Sequence, residues 1–102
     1  MKNSIIRGTT PTLTYRTEIP LSSADALSIV IRQSGQTVLE YPKADCIISA
    51  DSVKVHMSAE QSLLLKAGRE CEIQMISRFG EDTMATYPVD RVPVKRILKE
   101  DV

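Results

Sequence analysis

The chain has 102 residues, the length of one domain, and its 13 Lys and Arg residues balance its 13 Asp and Glu residues. A neutral chain produces no long-range field, which disfavours generic binding to nucleic acids or to acidic membrane surfaces. Apolar residues make up 42% and charged residues 25%, as in ordinary globular proteins, so we expect one folded domain over residues 1–102.

The first half of the chain alternates apolar and polar residues with the period of β-strands. This alternation predicts strands over Thr10–Arg16, Ala26–Gln33 and Thr37–Tyr41. Pro11 stands at the start of the first strand, where a missing N–H does least harm. Ser34-Gly35-Gln36 supplies the turn residues of a hairpin between the second and third strands.

The middle of the chain predicts a second hairpin followed by a helix. The apolar residues of Asp45–Ser49 and Val53–Met57 fit two strands joined by a polar turn. Ser58 and Gln61 then have the capping-box spacing, and Ala59–Lys66 is rich in helix formers. We therefore expect one short helix, about two turns long, over Ser58 to Lys66.

Strand periodicity returns in the last third of the chain. Arg69–Ser77 alternates again, and Thr83–Tyr87 begins a final pair with Val89–Leu98. Because Pro93 removes a ladder donor, we expect Val89–Leu98 to be an edge strand. About seven short antiparallel strands and one crossover helix favour an all-β sandwich, with a five-stranded Greek-key barrel as the alternative. The predicted core comprises Leu27, Ile29, Ile31, Val53, Val55, Cys71, Ile73 and Met75.

No group of residues has the spacing of a catalytic, metal or cofactor site. His56 is the only histidine and points outward on its strand, while Cys46 and Cys71 have no partners at ligand spacing. Glu70 and Glu72 share one strand face, but without a cleft above them they are solvated side chains. The glycines stand apart from each other, so no glycine-rich loop can hold a phosphate. We therefore expect no enzymatic activity, no metal and no cofactor.

The sequence shows no targeting or membrane-spanning segment. Its longest apolar runs have three residues, whereas a membrane span needs about 20, and the first ten residues lack the apolar region of a signal peptide. We expect synthesis in the cytoplasm, with Cys46 and Cys71 reduced in the core. A disulfide between the two cysteines is the alternative.

The opening segment Ile5-Ile6-Arg7-Gly8 carries an apolar pair that a short monomeric domain does not obviously need. In one interpretation it is an edge strand that continues the sheet across a bulge at Gly8. In the other it is an arm that docks on a neighbouring subunit by strand addition. Together with the predicted edge strand, the second interpretation gives five candidate interaction residues: Ile5, Ile6, Arg7, Val92 and Val94.

Several short segments carry a resemblance to a known family. They are Ile6-Arg7-Gly8-Thr9-Thr10-Pro11-Thr12, Ser58-Ala59-Glu60-Gln61-Ser62-Leu63, Lys66-Ala67-Gly68, Glu72-Ile73-Gln74-Met75, and Val92-Pro93-Val94 with Ile97-Leu98. In this order they resemble a family of small prophage-encoded proteins of Gram-positive bacteria, and they are similar to the amino-terminal domain of the phage baseplate upper protein. The resemblance implies an immunoglobulin-like β-sandwich without catalytic residues, in a virion or tail-associated component that works by assembly.

The residues and the resemblance together predict a non-enzymatic structural protein of a phage or prophage tail or baseplate. Its expected partners are tail or baseplate proteins and further copies of itself. It would be made in the bacterial cytoplasm and incorporated into the virion. The alternative is a free-standing binding module for a host protein or a cell-wall glycan, although three tyrosines, one phenylalanine and no tryptophan offer little surface for sugar stacking.

Overall fold

Two β-sheets face each other in the computed structural model, which describes residues 4–17, 21, 24–80, 83–86 and 89–96. Within these residues the strands are β1 (Ile5–Ile6), β2 (Thr12–Arg16), β3 (Ala26–Gln33), β4 (Gln36–Pro42), β5 (Ile47–Ile48), β6 (Ser52–His56), β7 (Glu70–Phe79), β8 (Thr83–Thr86) and β9 (Asp90–Lys95). The larger sheet has the order β1-β9-β7-β3-β4, with β8 also paired to β7, and the smaller sheet has the order β2-β6-β5. The predicted sandwich is confirmed, with nine strands in the described residues where about seven were expected.

The core lies between the two sheets and depends on the alternation in β3 and β7. These strands are antiparallel neighbours, with Ile29 facing Met75 and Ile31 facing Ile73. Facing residues of paired strands point to the same side of the sheet, so the buried sets of the two strands reinforce each other. All eight predicted core residues are exposed by 2% or less, which confirms the register read from the sequence.

Both predicted hairpins are present. Ser34 and Gly35 join β3 to β4 with φ angles of 55° and 79°, the left-handed conformation that a two-residue hairpin turn requires. β5 pairs with β6 but is only two residues long, so the strand predicted over Asp45–Ser49 is wrong in its extent. Lys43–Asp45 instead form a 3₁₀ turn, in which the Cys46 N–H donates to the Lys43 carbonyl at 3.1 Å.

The helix α1 (Ala59–Ser62) links the smaller sheet to the larger one, but it is half as long as predicted. Its start is as expected, because Ser58 and Gln61 form a complete capping box. The helical ladder ends at Leu64, whose N–H donates to the Gln61 carbonyl only three residues back, at 3.1 Å. Tertiary hydrogen bonds then hold the chain beyond this tighter turn: the Lys66 N–H donates to Gln33 Oε1 at 2.7 Å, and the Arg7 guanidinium binds two carbonyls of the same segment.

The last strand differs most from its prediction. β9 is not the edge, because β1 pairs with its end in parallel, so the expectation of an edge strand and of purely antiparallel sheets was wrong. β1 and β2 lie in different sheets, and Gly8 therefore marks a crossing between sheets rather than a bulge within one. β8 covers the predicted Thr83–Tyr87 up to Thr86. Its described residues pair with β7 and not with β9, so the predicted pairing of the last two strands is wrong. Tyr87 and the Ile97-Leu98 pair lie outside the described residues.

The two cysteines are unpaired thiols in different environments. Cys71 is buried in the core, as predicted, whereas Cys46 is half-buried and packs against the core from its rim. Burial raises the pKa of the Cys71 thiol to about 11, and the charge of Glu70 adds to this effect. Burial likewise raises the pKa of the Cys46 thiol. Neither thiol is poised to act as a nucleophile at neutral pH.

We expect Ile29→Ala and Ile73→Ala each to lower the free energy of unfolding by about 2–5 kcal/mol, because both side chains fill the centre of the core. Urea denaturation measures the change. Ile47→Ala is the matched control: this side chain is 54% exposed, so its loss should change stability by less than about 0.5 kcal/mol. Equal losses in all three variants would show that the assigned inner face is wrong.

We also expect the free energy of unfolding to fall as the pH rises from about 9 to about 11. In the unfolded chain the Cys71 thiol ionises near its ordinary pKa of about 8.5, whereas in the folded chain it stays protonated up to a pKa of about 11. Alkaline pH therefore favours the unfolded state. Urea denaturation at several pH values should show a shallower decline in Cys71→Ala than in the parent chain, and parallel curves would contradict this cause.

Candidate functional site

The five candidate interaction residues meet at one edge of the larger sheet. In the parallel pairing of β1 with β9, Ile5 faces Val94 and Ile6 faces Lys95. The Arg7 N–H extends the ladder by donating to the Lys95 carbonyl at 2.9 Å. Val92 precedes Val94 on the same inward face of β9. Residues from the two ends of the sequence therefore form a single edge, which we call the β1–β9 edge.

Three of these five side chains point into the protein. Ile5 is 1% exposed, and Val92 and Val94 are buried beside it in the core. Ile5, one of the candidate interaction residues, thus fills the core of its own chain. Ile6 remains 41% exposed. The β1–β9 edge thus offers a partner the outer face of Ile6 and the main chain of β1, unless β1 leaves its place.

Arg7 ties the β1–β9 edge to the segment that follows α1. Its Nε donates to the Leu65 carbonyl at 2.8 Å and its Nη2 to the Leu63 carbonyl at 3.1 Å. A guanidinium suits this role because its planar fork can bind two carbonyls at once. Arg7 therefore acts in holding β1 against its own domain.

The chain leaving β1 is fixed through the buried hydroxyl of Ser62. The Gly8 N–H donates to Ser62 Oγ at 3.0 Å, and Ser62 Oγ donates to the Thr9 carbonyl at 2.8 Å. Gly8 has a φ of 82°, which turns the chain toward the other sheet in a conformation that favours glycine. The path from β1 to β2 is thus set by one glycine and one serine.

The side chains of Ile6, Leu63 and Leu64, which we call the apolar patch, are exposed on β1 and on the segment that Arg7 ties to it, and Leu64 is the most exposed at 58%. The Arg7 contacts place residue 63 beside the end of β1. The triplet Leu63 to Leu65 needs only Leu65 for the core, which leaves the other two leucines outside. The sequence reasoning missed this patch because it treated the triplet only as part of a helix.

The side chains considered for catalysis do not converge. His56 lies on the outer face of β6 with Nδ1 2.7 Å from Thr12 Oγ1, and Glu72 forms an ion pair with Arg91 at 3.6 Å on the other sheet. Over the described part of the chain, no group of three His, Cys, Asp or Glu residues could hold a metal ion. Nor does any described helix have the length and apolar character to cross a membrane.

Two adjoining depressions, of about 240 and 260 Å³, lie on the outer face of the larger sheet. They share Val30 and Ile76, and Val89 lines the second. None of the described residues that line them is aromatic. Their described lining therefore offers no aromatic ring on which a sugar could stack.

Comparison with known proteins places the fold. No family model and no curated protein matches the sequence. A solved structure of the immunoglobulin-like domain of mouse leukocyte-associated immunoglobulin-like receptor 1, a strand-swapped dimer, is similar with a TM-score of 0.53 and 11% identity, over 94% of this chain and 88% of that one. The alignment with the V domain of amphioxus IgVJ-C2 spans 90% of this chain and 98% of that one, with a TM-score of 0.37 and 14% identity. The immunoglobulin-like β-sandwich that the resemblance implied is confirmed.

We expect Ser62→Ala to lower the free energy of unfolding by about 1–3 kcal/mol, because the Gly8 N–H and the Thr9 carbonyl would lose their buried partner. Thermal or urea denaturation gives the value. Ser28→Ala, on the outer face of β3, is the control and should change stability by less than about 0.5 kcal/mol. A Ser62 variant as stable as this control would mean that the hydroxyl does not hold the crossing chain.

Proposed function

We propose that this protein is a non-enzymatic interaction module that assembles with other copies of itself by exchanging β1, and that it serves as a structural component of a phage or prophage tail or baseplate. The observation that carries the proposal is the placement of β1. This two-residue strand lies at the edge of the larger sheet and joins it by pairing with β9. An edge of this kind can be completed by the same strand from another copy.

The anchorage of β1 is strong in its contacts but small in extent. Burial of Ile5 contributes about 1.5–3 kcal/mol, and the short parallel ladder adds little beyond it. β1 from a second chain would make the same contacts with Val94 and Lys95, so the exchange would lose none of these contacts. Gly8 lies between β1 and β2 and can redirect the chain, since its backbone reaches conformations closed to other residues.

The strand-swapped dimer of the mouse receptor domain supports this part of the proposal. It indicates that a sandwich of this architecture tolerates exchange of a strand between two copies. The apolar patch of Ile6, Leu63 and Leu64 would lie beside the exchanged strands, where a second copy could cover it.

The assignment to a phage tail or baseplate is supported by the resemblance described above. Virion components act in many copies, and a small sandwich that pairs through its edges meets that need. Its partners would be tail or baseplate proteins, and it would be made in the bacterial cytoplasm before entering the virion. Genes for tail fibres, holins or lysins beside its own gene are expected, whereas a neighbourhood of metabolic genes would contradict the assignment.

A disulfide between β1 and β9 would report directly on exchange. Ile6 and Lys95 face each other on adjacent strands and are both exposed, so Ile6→Cys with Lys95→Cys brings two thiols within bonding range, about 5 Å between Cα atoms. Cys46→Ser should be added to remove the half-buried native thiol. After oxidation of separated monomer and dimer fractions, non-reducing electrophoresis shows whether the bond joins one chain or two.

We expect the dimer fraction to give covalently linked pairs and the monomer fraction to give single chains. A control with Ile6→Cys alone distinguishes the designed bond from random oxidation. If bonds in the dimer fraction form only within single chains, β1 is not exchanged.

A further inference from the structure

Among the described residues, the smaller sheet ends at β2, whose outer edge pairs with no other strand. The Met57 N–H donates to the Pro11 carbonyl at 2.9 Å, and the Thr17 N–H donates to the Asp51 carbonyl at 2.9 Å. Between these two bonds, β2 follows β6 in an unbroken antiparallel register. Along such a strand, residues whose main chain bonds to the neighbouring strand alternate with residues whose N–H and C=O groups point to the opposite side. The main-chain groups that point away from β6 are those of Thr12, Thr14 and Arg16, and no strand pairs with them in the described part of the chain.

This edge has few of the features that usually prevent strands from pairing with one another. Thr12–Arg16 contains no proline, lysine or bulge, and its one charged side chain, Arg16, stands at the end of the strand, 3.6 Å from Asp51. The other long edge strand, β4, is better protected. It has a register irregularity opposite Ile31 and Arg32, a glutamate at position 40 and a proline at position 42. Of these two long edges, β2 is the one ready to accept a strand.

We propose that the strand accepted by β2 is β2 of a second copy, paired antiparallel about a twofold axis at Thr14. In this register Thr14 faces Thr14 of the second copy, and Thr12 faces Arg16. The three outward-pointing residues would make about six main-chain hydrogen bonds, two for each facing pair. The two smaller sheets would join into one continuous sheet.

The side chains of β2 suit this pairing. Leu13 and Tyr15 stay in the core of their own chain, so the contact exposes no apolar surface. On the outer face the facing pairs are Thr with Thr and Thr with Arg, which bring no like charges together and allow close contact of β-branched residues. The strand is thus complementary to itself, which argues for a second copy rather than an unrelated strand. The contact is also independent of β1, which belongs to the larger sheet.

The twofold axis at Thr14 permits a sharp test by charge exchange. Thr14→Lys and Thr14→Glu each place two like charges opposite each other. The dissociation constant of each variant's dimer should therefore be at least about fivefold larger than that of the parent chain. An equal mixture of the two variants should regain the affinity, because lysine then faces glutamate. Sedimentation velocity measures the dissociation constants, and circular dichroism checks that each variant is folded.

Thr37→Lys provides the matched control. Thr37 is an exposed threonine on β4, and its replacement should leave dimerisation unchanged. A parent chain that stays monomeric at high concentration, or Thr14 variants that dimerise as well as the parent, would overturn the proposal. A dimer that is insensitive to Thr14 but shows linked chains in the β1–β9 disulfide test would overturn this contact and support the exchange of β1.

Discussion

The packing of alternate side chains from β3 and β7 against those of β2 and β6 is the constraint from which the rest of the structure follows. Because Ile29 and Ile73 must both face the interior, the register of the two central strands is fixed, and a shift by one residue would turn both to solvent. β4 is then placed by its hairpin with β3, and β5 by its hairpin with β6. The helix between β6 and β7 need only carry the chain from one sheet to the other.

A sandwich built in this way leaves edges that a closed barrel would not have. Each edge is treated differently in this protein. β1 covers the end of β9, and charge, proline and an irregular register protect β4. β5 has only two residues and so offers little main chain to another strand. β2 presents a regular row of main-chain groups that point away from its own sheet. The edges of the two sheets are therefore the surfaces on which the proposed contacts between copies depend.

The sequence predicted those parts of the fold that depend on local patterns. Alternation identified Ala26–Gln33 as a strand with its bounds correct, and Ser34-Gly35 identified the turn after it. Long-range contacts were beyond reach. The predicted second turn of the helix is replaced by a segment that distant residues hold, since the Lys66 N–H donates to Gln33 Oε1, and no helix propensity records that bond. β1 is too short to show a period, so its parallel pairing with β9 could not be read from Ile5 and Ile6 alone.

The candidate site shows the same division. Sequence reasoning selected Ile5 because an apolar pair near a chain end is unusual, and it selected Val94 because of its edge-like surroundings, without linking the two. The fold makes them neighbours. The arm is therefore a strand already paired within its own domain. A partner could bind at this place only by supplying a strand that replaces β1.

Two contacts on different sheets have a consequence that neither has alone. The proposed exchange of β1 would join two copies through the larger sheet, and the proposed pairing of β2 would join two copies through the smaller one. Each contact is twofold and would close on itself if it acted by itself. Acting together, they give every copy two different neighbours, and the assembly then continues as a row instead of ending at a pair. A small domain with two such edges could therefore build an extended structure from copies of a single chain.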